Sequence, residues 1–162
     1  MRSALALFSY RTIEHCLSAH LEQQYGGFAC DSPNWSLVTS DRGALRNAYE
    51  QAVNAVRGTQ GRRSLPSRVG PFAAAVLLKV LADPLAGHSG LDNDDELRDL
   101  ERLAKARNDS VLAHGESFIT RDQSAVLNRK AQLVLQGYWR LHHPDEDLTE
   151  CRRSLAFLRS GR

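Results

Sequence analysis

Apolar residues recur along this chain at three- and four-residue steps, the period of an amphipathic helix, and no stretch keeps the two-residue alternation of a half-buried strand. Leu7, Tyr10, Ile13, Leu17 and Leu21 predict a first helix over residues 4–25, stopped by Gly26-Gly27. A connector with Cys30, Pro33 and Trp35 follows. Ser40 or Asp41 can then cap a second helix carrying Leu45, Tyr49, Ala52, Val53 and Val56, closed by Gly58. Residues 58–70 are rich in Gly, Ser, Pro and Arg and predict a loop. Pro71 suits the first position of a short, nearly all-apolar helix over 72–82, which belongs at the buried centre of the domain.

Asp83-Pro84 and the glycines at 87 and 90 predict the next turn. Asp92, Asp94, Asp95 and Glu96 crowd the start of a fourth helix, where the macrodipole favours negative charge; this run reads as a helix start and not as a metal site. That helix runs at least to Ala106. Asn108, Asp109 and Ser110 are good capping residues, so a kink or restart is expected there, with Gly115 ending the segment. Thr120 and Gln123 have capping-box spacing and open a long helix through Val126, Leu127, Leu133, Val134, Tyr138 and Leu141 to Pro144. A last helix over 147–159 should bury Leu148, Leu155 and Leu158. The pattern therefore predicts an all-α bundle of five or six helices.

Composition changes this picture little. The 162 residues form one domain by size, with 42% hydrophobic and 25% charged residues, as in an ordinary globular protein. A net charge of +2 is too small to imply nucleic-acid binding by itself. Lys79, Lys105 and Lys130 are the only lysines. Arginine suits bidentate phosphate contact, but an arginine excess also follows from genome composition, and that is the simpler reading. Cys16, Cys30 and Cys151 are odd in number and far apart, which indicates neither a disulfide framework nor a zinc knuckle and points to a reducing cytoplasm. The apolar run 72–82, broken by Lys79, is about half a membrane span.

Candidate chemistry sits on the fourth helix. Leu97, Ala104 and Val111 recur every seven residues, and Leu100, Arg107 and His114 form a second row of the same spacing. Seven residues are about two turns, so a continuous helix stacks both rows on one stripe. A stripe facing a core or a partner normally excludes an arginine and a histidine, because an unpaired buried charge is costly. Histidine exchanges a proton near neutral pH, and arginine holds a phosphate without losing its charge. Together they suit metal-free cleavage of RNA, in which the 2′-hydroxyl is already the nucleophile and the protein need only orient, move protons and stabilise charge. The products would be a 2′,3′-cyclic phosphate and a 5′-hydroxyl; DNA could not react this way. One histidine is a weak endowment, and a homodimer apposing two copies of the stripe would bring two histidines and two arginines to one cleft.

The run Ala106-Arg107-Asn108-Asp109-Ser110-Val111-Leu112-Ala113-His114-Gly115 resembles the Arg-x(4–6)-His motif of HEPN-domain ribonucleases. It is most similar to the HEPN half of CRISPR-associated accessory ribonucleases that join a CARF sensor domain to a HEPN domain. Tyr10-Arg11-Thr12-Ile13-Glu14 is similar to a Tyr-Arg-x-x-Glu helix of that group. The resemblance spans about residues 10–141. It implies a HEPN-like, dimeric all-α fold, metal-independent endoribonuclease activity on single-stranded RNA, a role in antiviral defence, and no cofactor. It assigns Arg107 and His114 as catalytic and Asn108 as supporting. Residues 1–162 are read as a single HEPN-like domain with no CARF domain, either one part of a longer protein or a standalone form, so activation by a cyclic oligoadenylate is not implied.

A competing reading is a catalytically silent HEPN-like subunit that pairs with a nucleotidyltransferase antitoxin. A silent member would often have lost the arginine or the histidine, and both are present. The toxins of such pairs tend to carry a tyrosine two residues after the histidine, where this chain has Glu116. Arg11 and Glu14, three apart on a helix, are expected to brace each other. His15 and His20 are five apart, off the spacing for a shared metal, and with His142 and His143 they are expected to be solvated. Trp35, Tyr138 and Trp139 read as core or interface. Arg62, Arg63 and Arg68, and Arg152, Arg153 and Arg159, can grip phosphates but are scattered.

Overall fold

The computed structural model of the chain describes the backbone of residues 2–112 and 120–149, and the side chains of residues 6–106 and 120–149. Among these residues there are six α-helices, one 3-10 turn (Trp35–Leu37) and no strand. The helices are α1 (Arg2–Gln24), α2 (Arg42–Arg57), α3 (Pro71–Val80), α4 (Pro84–Ser89), α5 (Asp94–Leu112) and α6 (Arg121–His142). The all-α bundle expected from the periodicity is the observed architecture. None of the described helices is long and apolar enough to cross a membrane.

The helix starts are set by side chains. Asp41 Oδ1 accepts the Ala44 N–H at 2.8 Å at the head of α2, and Gly58 closes that helix in the left-handed region. Thr120 and Gln123 form the expected capping box of α6: Thr120 Oγ1 accepts the Gln123 N–H at 3.2 Å, and Gln123 Oε1 accepts the Thr120 N–H at 2.9 Å. α3 is buried on nearly every side, with Ala74, Ala75, Val76, Leu77 and Leu78 out of solvent, and it touches α1, α2, α4 and α5. Its lack of a polar face is the reason for that central place. Ile13, Leu17 and Leu21 of α1, Leu97, Leu100 and Leu103 of α5, and Leu127 of α6 complete the core. Each fully buried leucine or isoleucine contributes roughly 1.5–3 kcal/mol.

α1 and α6 lie side by side and run the same way. Ser9 Oγ donates to Asn128 Oδ1 at 3.4 Å near their beginnings, and His20 meets His142 near their ends. α4 crosses α6 closely because Gly137 is buried there: a Cβ on it would come within 3.1 Å of Leu85 Cδ1.

In its helix boundaries and apolar faces the structure departs from the sequence reading at four places. The expected turn after Asp83-Pro84 is the short helix α4, because Asp83 caps it, Pro84 occupies its first turn and left-handed Gly90 closes it; the punctuation of a turn here encloses a helix. α5 continues as one helix through 108–110, without the restart. Leu7 is 43% exposed, because the buried face of α1 passes through Ala6, Ser9, Tyr10 and Ile13. Leu133 is likewise exposed, at 38%. Of the last expected helix, only Asp147, Leu148 and Thr149 fall within the described residues. There Asp147 Oδ1 accepts the Thr149 N–H at 2.7 Å, as a helix start would; Leu155 and Leu158 lie outside them.

Candidate functional site

α5 carries the candidate motif, and its register follows from how its first half is fixed. Asn93 Oδ1 accepts the Asp95 N–H at 2.7 Å, and Asp94, Asp95 and Glu96 place negative charge on the first turn. Lys79 reaches Asp94 at 2.5 Å. Lys130 of α6, 2% exposed, donates to the Glu96 carboxylate and, at 3.1 Å, to the Glu96 carbonyl oxygen. Leu97, Leu100 and Leu103 are thereby turned into the core. Position 107 follows Leu103 by one turn and Leu100 by two, so an unbroken α5 carries it on the core-facing side. Position 108 follows Ala104 by one turn.

The Arg107 and Asn108 backbones are in α5, but their side chains lie outside the described residues, and so does the whole of His114. Upstream, Tyr10 is buried, and Arg11 Nη1 pairs with Glu14 Oε2 at 2.5 Å on the exposed side of α1. That is the expected brace.

Of the loop arginines, Arg63 is tied into the fold, and Arg68 makes an exposed surface pair. Arg63 donates from its backbone to Glu50 Oε2 at 2.7 Å and from its guanidinium to Asn54 and Thr59. Arg68 pairs with Asp31 at 2.8 Å, and Arg62 is exposed. Arg152, Arg153 and Arg159 lie outside the described residues. Cys16 is buried and its thiol is pushed up to about 11 by burial; Cys30 is half-buried and also raised, burial again leading. Neither has the depressed pKa of a nucleophile.

A cluster that the sequence reading missed lies where α1, α4 and α6 meet. His20, expected at the surface, is 2% exposed. Its Nε2 lies 2.8 Å from Asp83 Oδ1 and its Nδ1 lies 2.8 Å from His142 Nε2. Tyr25 donates its hydroxyl to the other Asp83 oxygen at 3.0 Å, and Asp83 also accepts the Leu85 N–H. Tyr138 packs against the His142 ring.

Burial alone would raise the Asp83 pKa. Hydrogen bonds from His20, the Leu85 N–H and Tyr25, with the charge of His20, hold it below the usual carboxylate range. Tyr25 is raised by burial and then by Asp83. His142 is lowered by burial, then by His20 and His143, against the pull of Asp83. His15 is exposed as expected, His88 is exposed in the last turn of α4, and His143 stacks on Trp139 at a centroid distance of 4.3 Å. Trp35 is core, packed edge-on to Phe28. A signal for His20 was present: it falls three residues after Leu17 and seven after Ile13, on the buried face.

A family model described as Csm6 HEPN domain matches residues 2–137, from the start of α1 almost to the end of α6. Comparisons with curated proteins and with solved structures return no match.

Proposed function

Because the chain belongs to the family of Csm6 HEPN domains, we propose that it is a metal-independent endoribonuclease that cuts single-stranded RNA in a CRISPR-associated antiviral response, and that it acts in the cytoplasm. The family is one of CRISPR-associated ribonucleases. The observation that carries the reading is the reach of the match, which takes in α5 and the segment holding Arg107, Asn108 and His114.

In this reading Arg107 holds the scissile phosphate and offsets the charge that builds on it, and its own charge is permanent at any working pH. His114 orients the 2′-hydroxyl or carries its proton, and Asn108 supports the phosphate contact. The attacking and leaving oxygens lie on opposite sides of the phosphorus, so a second copy of the motif supplies the second proton-transfer group. Leu97, Leu100 and Leu103 are already used by the chain's own core. Two copies would therefore meet through the part of α5 beyond Leu103, where Arg107 and Asn108 stand.

The test is cleavage of an end-labelled, unstructured RNA in excess EDTA by wild type, Arg107→Ala and His114→Ala, each sized in solution alongside. Loss of cleavage by at least about a hundredfold in both variants, with cyclic-phosphate ends and an intact DNA control, is the expected result. A dimeric wild type that leaves RNA uncut, or equal cutting by all three proteins, would remove the chemistry assigned to the motif.

A further inference from the structure

A groove of about 750 Å³ runs between α2, α3 and α5, along the side of α5 that borders its leucine stripe. Its rim carries Arg57, Arg98, Arg102 and Lys105, with Glu101 the one acid among its lining residues. Arg98, Arg102 and Lys105 follow at steps of four and three, which lines them up along the helix. Its floor is apolar, formed by Val56, Ala104 and the half-buried Phe72. The Arg57 guanidinium sits over the Phe72 ring, 5.4 Å from its centroid, and is held there by Glu101 at 2.6 Å.

Acids outside the groove partly offset this charge: Arg98 pairs with Asp95 at 2.5 Å, and Arg102 with Asp99 at 3.1 Å. Both are exposed pairs between residues three apart. Such pairs are weak and salt-screened, so a phosphate can replace the carboxylate at little cost. Lys105 has no hydrogen bond or ion pair among the described residues. A row of exchangeable cations above an aromatic floor is the arrangement that binds single-stranded nucleic acid, phosphates on the rim and a base face on the ring.

We propose that this groove is the track along which the RNA strand reaches the catalytic end of α5, with Arg102 and Lys105 on consecutive phosphates and a base taking the place of the Arg57 guanidinium on the Phe72 ring. Ala104 lines the groove and Asn108 follows it by one turn, about 5.4 Å along the axis, so the track leads into the proposed site. The proposal rests on the ribonuclease reading for its choice of occupant. An acidic protein segment would also favour the cations, but it has no use for an aromatic floor.

The experiment is fluorescence anisotropy with a labelled, unstructured 2′-O-methyl RNA, which binds but cannot be cut by 2′-hydroxyl attack. Failure of the nuclease reading would appear in the cleavage assay and not here. The double variant Arg102→Glu/Lys105→Glu should weaken binding about tenfold or more and flatten the salt dependence by about 1.4, roughly 0.7 for each phosphate contact. Phe72→Leu, which keeps an apolar side chain against the core, should weaken binding about tenfold through lost stacking. Circular dichroism on each variant separates lost binding from lost fold. Unchanged affinity in either folded variant, or displacement of the RNA by poly-glutamate at the same charge concentration, would overturn the assignment.

Discussion

α6 is fastened to the bundle by two polar anchors of opposite character. Near its middle, the buried Lys130 holds the Glu96 carboxylate and carbonyl of α5, with Asp99 at 4.0 Å as a more distant countercharge. At its end, His142 holds His20, which holds Asp83, which Tyr25 and the Leu85 N–H also engage. The first anchor joins neighbouring helices through an ammonium–carboxylate pair. The second joins α1, α4 and α6 through a chain of two imidazoles and a carboxylate, in which burial lowers the His142 pKa. Position along one helix thus decides whether a contact is an ion pair or a relay of hydrogen bonds. The lysine anchor is the one that sets the register of α5, the helix of the candidate motif.

The largest effect is expected at the histidine anchor. Asp83→Ala removes the α4 cap, worth about 1 kcal/mol. It also leaves the His20 N–H and the Tyr25 O–H without their acceptor in a buried setting, at about 1–3 kcal/mol each. A loss of about 4 kcal/mol in urea unfolding is expected, with Asp83→Asn costing less because one oxygen still accepts. A change below about 0.5 kcal/mol, the range of a surface substitution, would reduce this anchor to ornament.

The lysine anchor should respond asymmetrically. Glu96→Ala strands a buried cation with only Asp99 and a carbonyl for company, and should cost about 2 kcal/mol. Lys130→Met leaves the Glu96 carboxylate one-third exposed, hydrated and still 3.6 Å from Arg129, and should cost about 1 kcal/mol or less. The reverse order would show that Glu96, not Lys130, bears the desolvation.

The smallest effect is with pH. Because the His142 pKa is depressed in the folded state, the unfolded chain binds the proton first. Stability is then full above the unfolded histidine value of about 6.5 and declines as pH falls below it. Asp83, also depressed, adds a second decline below about pH 4, as its carboxylate is lost. A thermal melting series should show both steps in wild type, and His142→Gln should lack the first. A first step that survives this substitution would place the titration elsewhere.

Helix periodicity carried most of the fold, because amphipathic spacing and caps such as Asp41, Gly58 and Thr120 are local signals. α4 escaped it, since a six-residue helix containing Gly87 has too few positions to show a period. Leu7 escaped it because the apolar spacing fits 7 as well as 6, and only packing against neighbours chooses. Beside His15, His20 reads from local spacing as a solvated histidine, though it sits on the same kind of apolar stripe as His114. Its partners, 63 and 122 residues away, have no trace in local spacing. The cationic groove was illegible for the same reason: Arg57 and Phe72 reach it from two other helices. For the motif itself, the structure supplies a continuous α5 and the register of positions 107 and 108, while the approach of Arg107 to His114 remains part of the functional proposal.

The side-by-side pairing of α1 with α6 has a consequence for synthesis. About a hundred residues separate Leu21 from Arg121, and at roughly 5–20 residues per second the ribosome takes on the order of 5–20 s to deliver them. For the first half of that interval neither α3 nor α6 exists to cover Ile13, Leu17 and Leu21; for the second half α3 does but α6 does not, and His20 waits for His142. The nascent chain therefore carries an apolar strip on its first helix until its last described helix emerges. A chaperone that engages nascent chains should find its site on this protein there.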